Sequence, residues 1–507
     1  MIDYIVIGAG SAGCVLASRL TERPDTSVLL IEAGPPDRKR EIHIPAAFSK
    51  LFRTEVDWNF STDPQAHLNG RSLYWPRGKT LGGSSSINAM IYVRGARADY
   101  DSWRDLGNTG WGSEDVLPMF KAAEHATGGP LHVEALRCVN PLTRAFLDAC
   151  DTQGIAKNPD FNSPTQAGAG LYQVTQKYGG RASAADAYLK PALRRGNLTV
   201  WTNAHVAKIL IEGGRASGVE FFQKQLPDRQ QVRAAKEVIL CAGAIGSPHL
   251  LLLSGIGPRR ELEALNIPVI ADLEGVGGNL QDHLNVGQSY GSTQPISLSN
   301  AESIPNLLQY IFRKKGPLTS NIAEAGAFVK SRADLTECDL QLHFAPVYYV
   351  EHGFKNPPGH GFSLGALLLT PKSSGRIYLR SADPREAPAM DPAYLSNEDD
   401  LAPLEEGLKV VWKLLESKPF DAYRGEPVFE REDTASFIRA HAESLYHPVG
   451  TCKMGQDASS VVDTRLQVHG VAGLRVVDAS VMPRIVRGNT NAPVFMIAEK
   501  AARMILE

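Results

Sequence analysis

The sequence predicts an α/β fold (α+β overall) that contains a parallel sheet and a second region based on another sheet. Three observations support this prediction. Residues 3–34 have the order strand, glycine-rich turn, helix and strand, which is a βαβ unit. Residues 198–224 and 232–241 alternate Val, Ile and Leu with polar residues, as β-strands do. The chain closes with a strand at Leu474–Val477 and a helix from about Pro493.

Periodicity and turn residues predict the elements between these segments. Residues 68–100 are rich in Gly, Ser and Arg, which is typical of a long functional loop leading into a helix. A leucine-rich helix is expected from about Ser247, and residues 365–381 predict two strands around a Ser-Ser-Gly turn. Residues 400–417 have helical periodicity. Their apolar face comprises Leu404, Leu408, Val411 and Leu415.

Composition excludes several classes of protein. Of 507 residues, 43% are hydrophobic and 21% are charged, which is ordinary for a globular chain of roughly three domain-sized units. Lys plus Arg number 53 against 55 for Asp plus Glu, and a net charge of -2 offers no footprint for nucleic acid. No apolar run reaches the roughly 18 residues that a membrane span needs.

The N-terminus and the cysteines indicate a cellular location. The first residues lack a basic segment and a cleavage site, so we expect no targeting segment. The six cysteines are scattered, without a CxxC pair or metal-ligand spacing. We therefore expect a cytoplasmic protein with reduced thiols, no metal site and no dithiol redox centre.

A dinucleotide-binding motif follows the first strand. Gly8-Ala9-Gly10-Ser11-Ala12-Gly13 is GxGxxG, in which Gly8 makes the turn, Gly10 admits a pyrophosphate and Gly13 allows close helix packing. The N–H groups at Ser11 and Ala12 open the helix and favour phosphate binding. Glu32 follows Gly13 by 19 positions, where a carboxylate can accept the ribose hydroxyls, which disfavours NADP. These residues alone leave NAD and FAD open.

Two longer motifs carry a resemblance to a known family. Residues 78–88 (GKTLGGSSSIN) and 243–257 (GAIGSPHLLLLSGIG) resemble the two signatures of the glucose-methanol-choline (GMC) oxidoreductases. Segments such as YHPVGTCKMG and GNTNAP are most similar to bacterial FAD-dependent alkanol dehydrogenases, then to choline dehydrogenase. The second signature is also compatible with simple helix packing. The resemblance implies a Rossmann-like FAD-binding domain over 1–155, 192–290 and 440–507, and a sheet-based substrate domain over 156–191 and 291–439.

The resemblance also implies how the cofactor FAD is bound. Glycines and serines let a loop lie flat against a planar ring and offer it donors. The positions that contact the flavin in the family are Ser84, Asn88, Ala89 and Ile91. Val206 matches the adenine side, and Asp478 with Ala479 matches the closing FAD motif, although Asp478 could instead cap a helix or turn. Ile87 stands where some members have a linking histidine, so FAD should be non-covalent.

A histidine and an asparagine are the expected catalytic pair. His447 lies in the matched YHPVGT segment, and the resemblance makes it the general base that takes the alcohol proton. Asn491, 44 residues later, is aligned as the group that donates to the developing alkoxide. Pro493 should open the C-terminal helix, whose positive end would then face the flavin. His283 matches a recurrent family segment and is expected to be structural, and His249 is given no role.

The implied reaction oxidises a primary alcohol to an aldehyde, with hydride passing to flavin N5 and electrons to a quinone or another non-oxygen acceptor. Alternatives are a peroxide-forming alcohol oxidase, a choline dehydrogenase, an FAD-containing hydroxynitrile lyase and a flavin-binding module without activity. Residues 304–315 combine an apolar stripe with Arg313, Lys314 and Lys315. This stripe is compatible with peripheral contact with the inner face of a membrane; the more ordinary interpretation is a helix packed on its own domain with a solvated basic end.

Overall fold

The computed structural model describes residues 2–223, 228–355 and 357–507. The predicted parallel sheet is confirmed, and each of its strand pairs runs parallel. Two of its strands, Tyr4–Ile7 and Val28–Ile31, are continuous apolar runs that are buried along their whole length, as is typical of parallel sheets. In spatial order the strands of the sheet are Leu198–Trp201, Val28–Ile31, Tyr4–Ile7, Glu237–Leu240 and Leu474–Val476.

One helix packs on this sheet and joins it to further helices. Ser11–Leu20 packs against the C-terminal helix Asn491–Leu506, which in turn packs against Ser113–Ala123. The C-terminal helix begins two residues before the predicted Pro493, which occupies its third position. Proline is tolerated there because the first N–H groups of a helix lack intrahelical partners. The leucine-rich helix is Gly243–Leu253, four residues earlier than predicted at Ser247.

A second, antiparallel sheet forms the other half of the fold. Helices Pro141–Thr152 and Leu401–Leu415 pack on it, and the Leu404 face of the latter is buried as predicted. Along the sheet the strands are Arg424–Pro427, Leu284–Ser292, Gly361–Leu368, Leu340–Ala345, Ala325–Val329 and Gly168–Leu171, with Glu443–Ser444 paired to Leu284–Ser292. The strand Leu284–Ser292 therefore crosses the domain boundary expected at residue 290.

Smaller elements complete the architecture. Residues 365–381 do contain two strands, but Gly361–Leu368 belongs to the large sheet whereas Arg376–Tyr378 pairs with Ala389–Asp391. An antiparallel sheet comprises Ala204–Glu212, Arg215–Gln223 and Gln230–Arg233. Two-residue pairings join Phe60–Ser61 to Tyr74–Trp75, Gln173–Val174 to both Ile91–Tyr92 and Glu134–Ala135, Gln176–Lys177 to Gly180–Arg181, and Ile256–Gly257 to Ala271–Asp272. Other helices are Arg97–Asp105, Arg259–Ala264, Ile304–Arg313 and Thr434–His441.

The helix Ile304–Arg313 presents its apolar side to solvent. Only Tyr310 is buried on it, and its hydroxyl donates to the His43 carbonyl at 3.1 Å. The exposed apolar side chains include Phe312 at 79% and Ile304 at 74%. The structure therefore rules against the alternative in which this apolar stripe packs on its own domain. Across the described ranges, no helix combines the length and apolar character needed to cross a bilayer.

Candidate active site

One cavity of about 1110 Å³ brings together nearly all of the predicted site residues. Drug-sized ligands occupy pockets of about 300–1,000 Å³, so this cavity has room for a dinucleotide and part of a substrate. Segments far apart in the chain meet around it. Its lining includes Gly8, Gly10, Ser11, Ala12, Glu32, Ser84, Asn88, Ala89, Ile91, Val206, His447, Asn491, Asp478 and Ala479.

The nucleotide loop, residues 8–13 together with Glu32, shows why each glycine is needed. Gly8 has φ of +96°, and a Cβ on it would lie 2.5 Å from the Cys241 carbonyl oxygen. A Cβ on Gly13 would lie 1.9 Å from the Gly8 carbonyl oxygen, so Gly13 serves helix packing and does not line the cavity. A Cβ on Gly10 would approach no protein atom closer than 4.0 Å. The open space at Gly10 is where a pyrophosphate fits.

Glu32 is fixed at the end of its strand by two backbone donors. The N–H groups of Ala9 and Gly34 each donate to its carboxylate at 2.8 Å. Burial raises the pKa of Glu32 to about 7, which these donors oppose. A carboxylate in this position can accept further hydrogen bonds from hydroxyl groups of a ligand that lies along the loop.

Three helices begin at the cavity. The lining includes Ser11 and Ala12 of the first, Gly243 and Ala244 of the second, and Asn491 of the third. Their positive N-terminal ends favour negative charge, as expected for phosphates and for a ring that gains electrons. The chemistry of this donor set and the open space at Gly10 both fit FAD.

The loop containing Ser84 and Asn88 is held from behind by Arg181. The buried guanidinium donates to the Asn88 Oδ1 at 2.8 Å, the Ser85 carbonyl at 3.0 Å and the Ile42 carbonyl at 2.7 Å. Burial lowers the pKa of Arg181 to about 9, and the nearby Asp186 carboxylate only partly opposes this effect. Met90 follows with φ of +59°, an uncommon conformation for a side chain of this size. This arrangement turns the loop 84–91 toward the cavity.

Asp478 lies in the cavity wall and caps a helix at the same time. Its Oδ2 accepts from the Gly243 N–H at 2.9 Å and the Ser247 hydroxyl at 2.5 Å, while Oδ1 accepts from the backbone and side chain of Ser480. The hydrogen bonds that Asp478 makes to the protein are therefore those of a helix and turn cap, the alternative role that the sequence left open for it. Burial raises the pKa of Asp478.

A histidine cluster consists of His283, His447 and Asn489. His447 and Asn489 lie in a different part of the cavity wall, and His283 is buried and contacts His447. His283 Nε2 lies 3.2 Å from the Leu369 carbonyl oxygen, and His283 Nδ1 lies 3.0 Å from His447 Nδ1. A carbonyl can only accept, so the His283 proton resides on Nε2 and its Nδ1 is an acceptor. His447 must then carry its proton on Nδ1. The Nε2 of His447 is therefore unprotonated and accepts from the Asn489 amide, and a bound hydroxyl group that replaced this donor would find a base there.

Asn489, rather than Asn491, lies beside His447. The Asn489 Nδ2 is 3.3 Å from the His447 Nε2, and Gln341 Nε2 donates to the Asn489 Oδ1 at 3.3 Å, which fixes the amide orientation. Asn491 instead accepts a hydrogen bond from the Ser11 hydroxyl at 2.7 Å, at the nucleotide loop. This corrects the predicted pairing of His447 with Asn491. The helix begins at Asn491, so Asn489 belongs to the preceding loop and faces a different part of the cavity.

The backbone around the cluster adopts uncommon conformations that hydrogen bonds maintain. Tyr446 precedes His447 with φ of +67°, and Gly488 precedes Asn489 with φ of +131°. The Tyr446 hydroxyl bonds to Tyr349, and its carbonyl accepts from Arg77 at 2.5 Å. A positive φ costs a residue with a side chain, such as Tyr446, on the order of 1–3 kcal/mol, and such conformations concentrate at functional sites. The backbone N–H of His447 donates to the Asp282 carboxylate at 2.7 Å.

Burial keeps the clustered imidazoles neutral. It lowers the pKa of His447 well below its usual value, and electrostatic interactions with His283, His343 and Arg77 add to that effect. Burial likewise lowers the pKa of His283 to about 4. A neutral imidazole is the form that can accept a proton from a bound hydroxyl group.

Comparison with known proteins shows which family models, relatives and solved structures the chain matches. Family models for GMC oxidoreductase match residues 2–285 and 371–498. The chain is 45% identical to an alcohol dehydrogenase [acceptor] of Pseudomonas putida, over 100% of this chain and 96% of that protein. It is 43% identical to an oxygen-dependent choline dehydrogenase of Brucella anthropi, over 99% and 95%. A formate oxidase of Aspergillus oryzae, studied for its FAD modification, superimposes with a TM-score of 0.93 at 26% identity, covering 99% and 98%.

Sequence reasoning missed three residues of the site. Asn489 lies two positions before Asn491, the asparagine predicted to act with His447. Their roles differ because the C-terminal helix begins at Asn491, so Asn489 lies in the preceding loop. His283 was expected to be structural because nothing in its segment indicates contact with His447, 164 residues away. Gln341 lies in a strand without any motif, so no sequence signal pointed to it.

Proposed function

The chain belongs to the GMC oxidoreductase family, and on that premise we propose that it is an FAD-dependent alcohol dehydrogenase that oxidises a primary alcohol to an aldehyde. The observation that carries the proposal is the unprotonated Nε2 of His447, which accepts from the Asn489 amide in the cavity that fits a dinucleotide and which a bound hydroxyl group could engage in its place. This is the arrangement that removal of a hydroxyl proton requires.

The nucleotide loop, the loop 84–91 and the three helix N-termini would hold FAD. Bound there, FAD supplies the acceptor for the hydride that leaves the alcohol carbon. Ile87 stands in the position of the linking histidine, so the cofactor is non-covalent. Purified protein should be yellow, and acid or heat should release its flavin into solution. Flavin that remained with the precipitated protein would contradict this part of the proposal.

His447 accepts the proton of the alcohol, and His283 holds His447 in the tautomer that can accept it. The Leu369 carbonyl fixes the tautomer of His283, which fixes that of His447, so Nε2 is unprotonated before substrate binds. The alcohol hydroxyl donates to Nε2, and the proton remains there as the carbonyl product forms. His283 is thus a positioning residue. It acts on the reaction only through the imidazole of His447.

Asn489 stabilises the oxygen that loses this proton. Its Nδ2 carries two N–H groups, and Gln341 holds its Oδ1, so both hydrogens are directed away from Gln341. A hydroxyl bound against His447 and Asn489 would donate to Nε2 and accept from Nδ2. The amide therefore favours the developing alkoxide over the neutral alcohol.

Anaerobic mixing of the holoenzyme with a panel of primary alcohols tests the proposed reaction. Bleaching of the flavin band is expected, and it separates alcohol oxidation from hydroxynitrile lyase activity or flavin binding alone. No bleaching with any alcohol would contradict the proposal. In air, turnover with a quinone or dye should be faster than with O₂. Stoichiometric peroxide formed at the dye-linked rate would assign an oxidase instead.

Electron transfer to a quinone is proposed to take place at a membrane surface. The apolar helix patch consists of the exposed side chains Ile304, Leu307, Leu308, Ile311 and Phe312. Arg313, Lys314 and Lys315 follow it and are exposed. Each basic residue contributes about 1 kcal/mol to binding at an anionic membrane surface. The patch is therefore proposed to bind anionic lipid.

Co-sedimentation with anionic vesicles at low salt tests this contact. The native protein is expected to sediment, and Phe312→Ser should abolish it, whereas Leu193→Ser, at an exposed leucine outside the patch, should not. Failure of the native protein to sediment would dispose of the membrane contact and leave the alcohol reaction unaffected.

A further inference from the structure

A row of four residues crosses the second sheet beside the cavity, and only one of the four has a side chain. The residues that pair from strand to strand are Gly326, His343, Gly365 and Gly287. Directly paired residues of antiparallel strands project from the same face of a sheet. His343, Gly365 and Gly287 line the cavity, so the His343 imidazole projects from a wall that is otherwise glycine at this level.

The glycines on either side of His343 leave room for polar side chains from other positions. A Cβ on Gly326 would lie 1.9 Å from the Tyr172 hydroxyl oxygen, and a Cβ on Gly365 would lie 2.3 Å from the Asn285 Oδ1. The Tyr172 ring stacks on the His343 imidazole, with 5.2 Å between ring centres and 28° between ring planes. Tyr172, His343 and Asn285 therefore form a polar row across the sheet.

Two members of the polar row make no hydrogen bond to the described part of the chain. They are His343 and Asn285, whose Nε2 and Oδ1 atoms are enclosed without a partner. Enclosing such atoms costs free energy, which calls for an explanation. The other polar atoms, His343 Nδ1 and Asn285 Nδ2, are not enclosed, and both residues line the cavity. These two nitrogens are therefore open to a ligand in the cavity.

The polar row lies next to the residues that hold the reacting alcohol. Gln341 and His343 are alternate residues of one strand, so their side chains project from the same face about 7 Å apart. Gln341 Nε2 donates to the Tyr172 hydroxyl at 3.0 Å and to the Asn489 Oδ1 at 3.3 Å. A substrate whose hydroxyl group binds His447 and Asn489 therefore has the polar row within reach of its far end.

The free groups of the polar row match a hydroxyl group. The Asn285 Nδ2 donates, and a neutral imidazole with its proton on Nε2 accepts at Nδ1. Burial lowers the pKa of His343 to about 3, so its imidazole is neutral. A hydroxyl group both accepts and donates, so it can bond to both residues at once, which a methyl group cannot do.

Resting on the proposed function, we infer that the preferred substrate is a primary alcohol with a second hydroxyl group at its far end, which His343 and Asn285 bind. The hydroxyl oxygen accepts from Asn285 Nδ2, and its hydrogen is donated to His343 Nδ1. A separation of about 7 Å corresponds to a chain of about four or five carbon atoms between the two hydroxyl groups.

Pentane-1,5-diol and hexan-1-ol test the preference, because they differ only in the hydroxyl or methyl group at the far end. Butane-1,4-diol and pentan-1-ol form the corresponding shorter pair. Anaerobic flavin reduction of the holoenzyme at low substrate concentration should be about tenfold faster with the diol of at least one pair, after allowance for its two equivalent ends.

The outcomes separate the inference from the function on which it rests. Flavin reduction by the alkanols, with neither diol faster than its partner, would overturn the inference and support alcohol oxidation. No reduction by these compounds or by any other primary alcohol would overturn the proposed function, and the inference with it.

His343→Phe and Asn285→Leu test the assigned residues. Phenylalanine retains the aromatic stacking on Tyr172, and leucine is close to asparagine in size, but neither replacement can bond to a hydroxyl group. In each flavin-loaded variant the ratio of diol to alkanol reduction should fall to about one. A native ratio in both variants would overturn the assignment, and if His343→Phe fails to retain FAD, the ratio in Asn285→Leu decides.

His125→Phe is the matched control. His125 is exposed, stacks on His132 with 3.9 Å between ring centres, and does not line the cavity. The same replacement of a stacked histidine should there leave the ratio within about twofold of the native value. A fall to about one in this control as well would contradict a specific role for His343.

Discussion

The nucleotide loop and the histidine cluster both contribute residues to one cavity, but they are built in opposite ways. The loop is a single short segment whose glycines shape a backbone cradle, and Glu32 joins it from the next strand. The cluster consists of side chains from three remote segments, His283, His447 and Asn489, and depends on Gln341 from a fourth. A cradle of backbone tolerates side-chain changes that leave its glycines alone, whereas a cluster of side chains fails when one member is replaced.

Because the histidine cluster depends on individual side chains, replacing His447 should have the largest effect on the rate of flavin reduction. His447→Ala should lower the rate of flavin reduction by roughly 10² or more, because the alcohol proton loses its acceptor. FAD should remain bound, since the nucleotide loop is untouched. Stopped-flow absorbance with the flavin-loaded variant measures the rate. A rate close to that of the native enzyme would remove His447 from the mechanism.

Asn489 and Asn491 provide a matched pair of variants, because Asn489 belongs to the histidine cluster and Asn491 bonds to the nucleotide loop. Asn489→Ala should lower flavin reduction by about 10²-fold, because the alkoxide loses its donor. Asn491→Ala removes the hydrogen bond from Ser11 and should weaken FAD retention while leaving the reduction rate of loaded enzyme nearly unchanged.

Flavin content after gel filtration measures FAD retention, and single-turnover kinetics of the loaded enzyme measure the rate of flavin reduction. If Asn491→Ala slowed the reduction and Asn489→Ala did not, the original sequence-based pairing would be right.

These outcomes also show what the sequence could and could not reveal. GxGxxG and Glu32 act through local backbone geometry, so their spacing was sufficient to predict them. The choice between Asn489 and Asn491 depends on where a helix begins, and helix ends are poorly defined by pattern alone. The contact between His283 and His447 forms only when the strand Leu284–Ser292 joins the second sheet and pairs with Glu443–Ser444. No spacing in the chain encodes that pairing.

Two glycines of the nucleotide loop should respond differently to the same change. Gly13→Ala places a Cβ 1.9 Å from a carbonyl oxygen and should destabilise the fold by about 1–3 kcal/mol. Gly10→Ala meets open space, so thermal unfolding of the apoprotein should hardly change, but FAD affinity should fall about tenfold as the pyrophosphate is displaced. Equal loss of apoprotein stability in both variants would contradict the assignment of Gly10 to the ligand.

The smallest expected effect is that of pH. His447 has its pKa lowered by burial, so it is already the neutral base at pH 6.5 and above, and flavin reduction should be flat between about pH 6.5 and 8. The same lowered pKa values determine how the free energy of unfolding depends on pH. Below about pH 6.5 the unfolded chain takes up protons that buried His447 and His283 refuse, so stability falls as pH falls. A reduction rate that titrates near pH 7 would indicate that the base is not buried as described.

The central claim is that His447 removes the alcohol proton in the cavity that also holds FAD. Anaerobic stopped-flow reduction of the holoenzyme by a primary alcohol, with and without deuterium on the reacting carbon, tests it most directly when native enzyme and His447→Ala are compared. The account predicts rapid flavin bleaching that deuterium slows in the native enzyme, and bleaching slower by roughly 10² in the variant. Equal bleaching rates for the two proteins, or none in the native enzyme, would contradict it.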